Sequence, residues 1–203
     1  MKRNLRLGEK KERVMDNRPI SRSAIPNLED LPDDVKTKIQ SVQEKTGFVP
    51  NVFMIMARKP DEFRGFCTYY DAIMETECKI TKAELEMIVV ATSAQNDCLY
   101  CVVSHGAVLR IRSKDKNISD QIAINYKKSK ITERQRAMLD FAVKVAKESQ
   151  SINDSDFKIL ERFGFDIEDA WRIASVASFF AMSNRLANTF SMLPNEEFYA
   201  MGR

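Results

Sequence analysis

Cys98, Cys101 and His105 are the residues of this chain whose types and spacing best suit chemistry. They lie in the run A-Q-N-D-C-L-Y-C-V-V-S-H-G over 94–106, and His105 is the only histidine among 203 residues. On a helix, positions i, i+3 and i+7 share a face, so the two sulfurs and the imidazole would form one stripe. Asn96 and Asp97 are favourable N-cap residues, which predicts both cysteines in a helical first turn. There the unpaired N–H groups and the positive end of the helix dipole favour a thiolate over a thiol. A thiolate beside a second cysteine and a base is the equipment of thiol redox chemistry. Glu86 is a fourth candidate, set in the apolar run Leu85–Ala91. A buried carboxylate is costly unless paired or protonated, so a decorative role is disfavoured there, the alternative being a glutamate at the helix's wet edge.

Other chemistries fit these residues less well. Covalent haem attachment needs C-x-x-C-H, and Val102 follows Cys101. Structural zinc wants four ligands, and Glu86 would have to be the fourth. A thioredoxin-like domain needs a βαβ pattern that is missing. The bland alternative is a structural pair of buried cysteines beside a satisfied core histidine. Cys67 and Cys78 stand apart from the pair and are expected to be buried, inert thiols.

The elements that must position these groups all read as helices. Leu31, Val35, Ile39 and Val42 recur at helical spacing between Asp30-Leu31-Pro32 and the stop at Gly47. A short apolar piece from Pro50-Asn51 to Met56 ends at Lys59-Pro60. The set Phe63, Phe66, Cys67, Tyr70, Ile73 and Met74 forms a 3.6-residue stripe. Thr81…Glu84 and Thr132…Gln135 are capping boxes, each following an isoleucine, a faint sign of duplication. The first opens a helix that is apolar almost all round and therefore central. The dithiol helix follows and runs to about Arg112. Further helices are predicted from Ser119-Asp120, from Asp156 to Phe163 with a stop at Gly164, and from Asp166. In the last, Ile167, Trp171, Ala174 and Ser178 imply close packing, and Asn184 to Met192 a bent continuation before Pro194. Nothing alternates as a strand, so the fold class is all-α.

Composition narrows the function. With 44% hydrophobic and 30% charged residues, a core and a normal soluble surface are both provided for. Six Gly, six Pro and the lack of Gly-rich phosphate loops leave nucleotide binding unsupported, and no cofactor is implied. Residues 1–22 carry eight Lys/Arg against three Asp/Glu, so of the net +3 the remainder holds −2. A slightly acidic body without a basic, aromatic-interleaved stripe argues against nucleic acid. Residues 1–24 read as a disordered basic lead-in, with Met15 a candidate natural start, and 25–203 as a single helical domain. Apolar runs too short for a membrane span, and a charged N-terminus without an apolar stretch behind it, make a cytoplasmic location the expectation.

Glu86, then Cys98, Cys101 and His105, resembles the E…C-x-x-C-x-x-x-H signature of alkyl hydroperoxidase D, in the carboxymuconolactone decarboxylase superfamily. Gly47-Phe48-Val49-Pro50-Asn51-Val52-Phe53, the segment 93–106, and Asn184-Arg185 through Pro194-Asn195-Glu196-Glu197-Phe198 to Arg203 extend the resemblance to an uncharacterised, peroxidase-related branch. The resemblance implies a helical fold assembled as a homo-oligomer, a trimer or hexamer. It also implies peroxide reduction at the expense of a dithiol partner such as a dihydrolipoyl protein. By position, Cys101 would be the peroxidatic cysteine, oxidised to a sulfenic acid, Cys98 the resolving cysteine, and His105 with Glu86 the proton relay. Cys98, nearer the helix start, is expected to be the more exposed. Tyr100 departs from the pattern, since alkyl hydroperoxidase D has histidine there. A tyrosine donates a hydrogen bond but titrates near pH 10, so it does not shuttle protons equivalently at pH 7. The alternative is a non-catalytic, oligomeric redox sensor or partner-binding protein whose CxxC forms a switch disulfide without turnover.

Overall fold

A computed structural model of the chain describes residues 18–203. Residues 1–17, most of the expected lead-in and Met15 with it, lie outside the described residues. Among the described residues there are α-helices and short 3-10 turns and no strand, as the all-α reading expects. In chain order they are α1 (Asp33–Thr46), α2 (Asn51–Ala57), α3 (Pro60–Met74), α4 (Lys82–Gln95) and α5 (Leu99–Ser113). Then come α6 (Ile118–Asn125), α7 (Glu133–Glu148), α8 (Asp154–Arg162), α9 (Ile167–Thr189) and α10 (Glu197–Ala200).

The centre is α4. Thr81 caps it through a reciprocal box with Glu84, and every residue from Glu84 to Ser93 is buried. A helix apolar on all sides must be enclosed on all sides, and α5, α6, α7 and α9 do so. Leu85, Ile88, Val89 and Val90 have no exposed surface. Truncating Ile88 to alanine at such a site costs about 2–5 kcal/mol. The second box, Thr132 with Gln135, starts α7 as expected. Two glycines end helices in left-handed backbone that a side chain would strain, Gly47 at φ 84° after α1 and Gly164 at φ 82° after α8.

Helices α1–α3 form a satellite around Leu31, Val35, Ile39, Ala57, Phe63 and Cys67. Two hydrogen bonds tie the N-terminal segment to the stretch that follows α9. Ile20 accepts from Leu193 N–H at 2.9 Å, and Arg22 N–H donates to Phe190 C=O at 2.8 Å. The packed body therefore reaches back to Ile20, five residues before the boundary expected at 25. At the other end Arg110, only 4% exposed, donates to Phe198 and Met201 carbonyls and to Ser119 Oγ, fastening α10 to α5.

Three local expectations are corrected. The stripe of Ile167, Trp171 and Ser178 faces outward, Ile167 at 65% and Trp171 at 73% exposure. The residues α9 buries instead include Ile173, Val176, Ala177, Phe179, Phe180 and Asn184. That helix has apolar residues on two sides, so periodicity alone does not choose the inward one. It also continues without a break to Thr189, where a bent second piece was expected. Cys78 is exposed in the α3–α4 loop, its thiol donating to Ile80 C=O at 3.2 Å, whereas Cys67 is buried as expected. No helix among the described residues is long and apolar enough to cross a membrane.

Candidate functional site

A three-residue link builds the site. Asn96 ends α4, Asp97 adopts left-handed backbone at φ 50°, and Cys98 N–H turns back to Ser93 C=O at 3.0 Å. Aspartate tolerates that conformation better than most residues. The chain reverses, and α5 lies antiparallel on α4, so that Glu86 and His105 meet. The cap of α5 is therefore Cys98 itself, and neither Asn96 nor Asp97: its Sγ accepts the Cys101 N–H at 3.4 Å. Both cysteines are free thiols and both are buried, at 1% and 2% exposure. Cys98 is thus no more accessible than Cys101. Ile55, Tyr100, Ala187 and Met192 surround the pair, with Val52, Leu186 and Phe190 packed behind.

The two sulfurs are electrostatically unequal. Cys98 is held below the ordinary thiol range, first by a hydrogen bond from the Cys101 thiol. Burial opposes this, and the Cys101 N–H, the Asn184 side chain and the Tyr100 N–H reinforce it. Cys101 is driven well above that range by donating to Cys98, by burial, and by repulsion from the neighbouring thiolate. Of the two sulfurs, Cys98 at the helix N-terminus is therefore the one better able to carry a negative charge.

Asn184, fully buried on α9, was not read from the sequence as a site residue. It accepts from Asn96 Nδ2 and donates to Ser93 Oγ, both at 3.0 Å, and its amide lowers both thiols. Ser183 adds a second hydrogen bond to Cys101. The helical periodicity of α9 could have placed Asn184 inward, but nothing local ties it to cysteines more than eighty residues away.

Glu86 and His105 form a second group. The expectation of a buried Glu86 holds: it has no exposed surface and meets His105 Nδ1 at 2.8 Å through Oε2. The imidazole stands edge-on to Phe180, with centroids 4.7 Å apart. On the other side Glu86 Oε1 faces Arg112 Nη1 at 3.5 Å, an ion pair in which neither atom makes a hydrogen bond. Arg112 also donates to Glu75 Oε1 at 3.1 Å, so a charge chain leads from the imidazole to the surface. No hydrogen bond joins His105 to either sulfur among the described residues; the two groups are linked through one turn of α5. Among the same residues no three His, Cys, Asp or Glu side chains are grouped as metal ligands.

Tyr100, between the cysteines, turns away from them. Its hydroxyl accepts the Val52 N–H at 3.1 Å at the start of α2, and burial pushes its ionisation far above the usual range. It anchors the helix that covers the dithiol. Asn195 completes that anchor, accepting from Asn51 N–H at 2.7 Å and donating to Val49 C=O at 2.9 Å.

Comparison with known proteins agrees with this architecture. Residues 60–123 match the model of the carboxymuconolactone decarboxylase family. An uncharacterised peroxidase-related protein of Ralstonia eutropha JMP134, described as an alkylhydroperoxidase AhpD core, is 57% identical with a TM-score of 0.91. The alignment covers 92% of this chain and 98% of that one. A peroxidase-related protein of Silicibacter sp. TM1040 is 36% identical at a TM-score of 0.88, covering 94% of this chain and all of that one. The debrominase Bmp8, solved in complex with 2,3,4-tribromopyrrole, shares the fold at 19% identity and a TM-score of 0.73, over 92% and 96% of the two chains. No curated protein matches the chain. A relative more than half identical over almost its entire length, with the family's helical core in place, settles the kinship: this chain belongs to the carboxymuconolactone decarboxylase family, as an alkylhydroperoxidase D-like protein.

Proposed function

We propose that the protein is a thiol-dependent peroxidase whose active groups are Cys98, Cys101, His105 and Glu86. The observation that carries this reading is the cap of α5: Cys98 Sγ accepts the Cys101 N–H at 3.4 Å at the helix N-terminus, with the second free thiol buried beside it. A peroxide, R–O–O–H, gives up its terminal oxygen to the thiolate. The O–O bond breaks, the sulfur becomes a sulfenic acid, and the departing alkoxide takes a proton and leaves as the alcohol. The second thiol then attacks the sulfenic sulfur and releases water, giving the Cys98–Cys101 disulfide. An external dithiol, such as a dihydrolipoyl group, reduces it and is itself oxidised to a disulfide.

The hydrogen bonds favour Cys98 as first attacker, the reverse of the order that the resemblance implied. Cys101 then loses its proton as it condenses, and His105, one turn along α5, is the nearest base on the helix. Glu86 orients that imidazole through Nδ1 and balances its charge once protonated. Arg112 is a positioning residue for Glu86.

The test is steady-state turnover of cumene hydroperoxide with dihydrolipoamide, together with dimedone trapping. Cys101→Ser should leave a sulfenic acid on Cys98 after one equivalent of peroxide, and Cys98→Ser should not react. Trapping on Cys101 in the Cys98→Ser protein would restore the order drawn from the resemblance. Stoichiometric oxidation that stops without turnover would favour a redox sensor. Assembly belongs to the same proposal: the exposed Ile167 and Trp171 on α9 are the face through which copies of the chain pack, in the cytoplasm. Sedimentation giving only a species near 23.3 kDa would refute that part.

A further inference from the structure

An apolar groove runs up to the side chains that encase the dithiol. Its wider part, about 470 Å³, runs between α3 and α9 and is lined by Gly65, Phe66, Tyr69, Phe179, Met182 and neighbours. Met56, Glu62 and Leu186 belong also to an adjoining cavity of about 190 Å³. Ile55, Leu186, Phe190 and Met192 wall that cavity, and the same four side chains pack around Cys98 and Cys101. The groove is thus continuous with the casing of the sulfurs, in the size range of small-molecule sites.

Two observations indicate what it holds. Arg58 and Lys59 line the smaller cavity at its solvent-exposed side, and neither forms an ion pair among the described residues. Arg58 instead lies over the Phe190 ring at 5.4 Å. Glu62, the one carboxylate on the wall, pairs with neither. Two cations without carboxylate partners beside an apolar trough complement an anionic head on an apolar body. The second observation is Gly65. It lies in the interior of α3 without positive φ, and an added Cβ would meet nothing within 4 Å. Helical glycine there costs stability and serves neither backbone nor packing. It lines the trough, and the space beside it is open.

We infer that this groove binds medium- to long-chain fatty-acid anions, and that Arg58, Lys59 and Gly65 bias the site towards fatty-acid hydroperoxides, alkyl hydroperoxides that carry a carboxylate. The second half rests on the peroxidase reading; the first does not. Calorimetric titration of the full-length protein with dodecanoate, kept below its micellar concentration, should show saturable binding. Arg58→Gln with Lys59→Gln, and separately Gly65→Phe, should each weaken it at least tenfold. The same variants should lower kcat/KM for a fatty-acid hydroperoxide, relative to that for hydrogen peroxide, by a similar factor. Absence of dodecanoate binding, or equal binding by wild type and both variants, overturns the inference. So does a Gly65→Phe protein that binds normally but sediments as a smaller assembly, because the groove would then be a contact between copies. Binding lost as expected, in a protein that turns over no peroxide, supports the groove and removes the peroxidase.

Discussion

Glu86 and Arg112 should prove thermodynamically inseparable. At 3.5 Å and an effective dielectric of about 20, two unit charges attract by about 5 kcal/mol. Desolvating both offsets much of this, so the pair's net contribution is small, yet breaking one side of a buried pair costs about 3–5 kcal/mol. Arg112 is about a quarter exposed and keeps Glu75 as a second partner, which places Glu86→Gln near the lower end, at about 3 kcal/mol. Arg112→Met leaves a carboxylate of zero exposure with His105 alone, and should cost about as much. The double variant has no orphaned charge. Its cost should fall short of the summed single costs by about 1–3 kcal/mol. Urea unfolding of the four proteins at pH 7 measures the cycle. Additivity within about 0.5 kcal/mol would refute the claim that these two atoms, which share no hydrogen bond, are energetically paired.

Three further outcomes follow from the geometry. Tyr100→Phe strands the Val52 N–H at the start of α2 and should destabilise by about 1–2 kcal/mol in urea unfolding, with faster proteolysis near residues 50–57. Gly65→Ala should stabilise by about 0.5–1 kcal/mol, since its methyl group meets nothing; a loss of stability would mean that the groove wall is closed. In a Cys78→Ser background, which removes the exposed thiol, iodoacetamide labelling of Cys98 should rise through a midpoint below the ordinary thiol value of about 8.5. The sign follows from its depressed folded value: the stabilisation from the thiolate is full above the unfolded value and is lost as pH falls through the folded one. A midpoint above 9 would place the thiolate elsewhere.

Much of this arrangement is legible in the sequence where one segment decides it. The boxes at Thr81 and Thr132, the stops at Gly47 and Gly164, and the unbroken apolar run around Glu86 depend on neighbours within a few residues. The cap of α5 differs from the Asn96 or Asp97 that propensity favours because Asp97 takes a left-handed backbone, which makes Cys98 the acceptor. Which side of α9 faces inward, and hence the exposure of Trp171 and the arrival of Asn184 beside the sulfurs, is decided by α4 and α5 packing against it. The inequality of the two thiols arises from that tertiary neighbourhood together with the cap, and the CxxC spacing alone leaves it open.

The depth at which both sulfurs lie has a bearing on oxidative damage. A peroxidase dies when a second peroxide molecule reaches its sulfenic acid before the partner thiol does, because the resulting sulfinic acid is not recovered by ordinary thiols. In this protein the second thiol belongs to the residue whose N–H already bonds Cys98 Sγ, whereas a second oxidant must pass Ile55, Met192 and the anchored α2 afresh. Condensation needs only local motion of one side chain, and over-oxidation needs another opening of the cover. On the peroxidase reading proposed above, the burial that slows each first encounter would also protect the intermediate, and the protein should survive repeated exposure to peroxide at concentrations that inactivate thiol peroxidases with open sites.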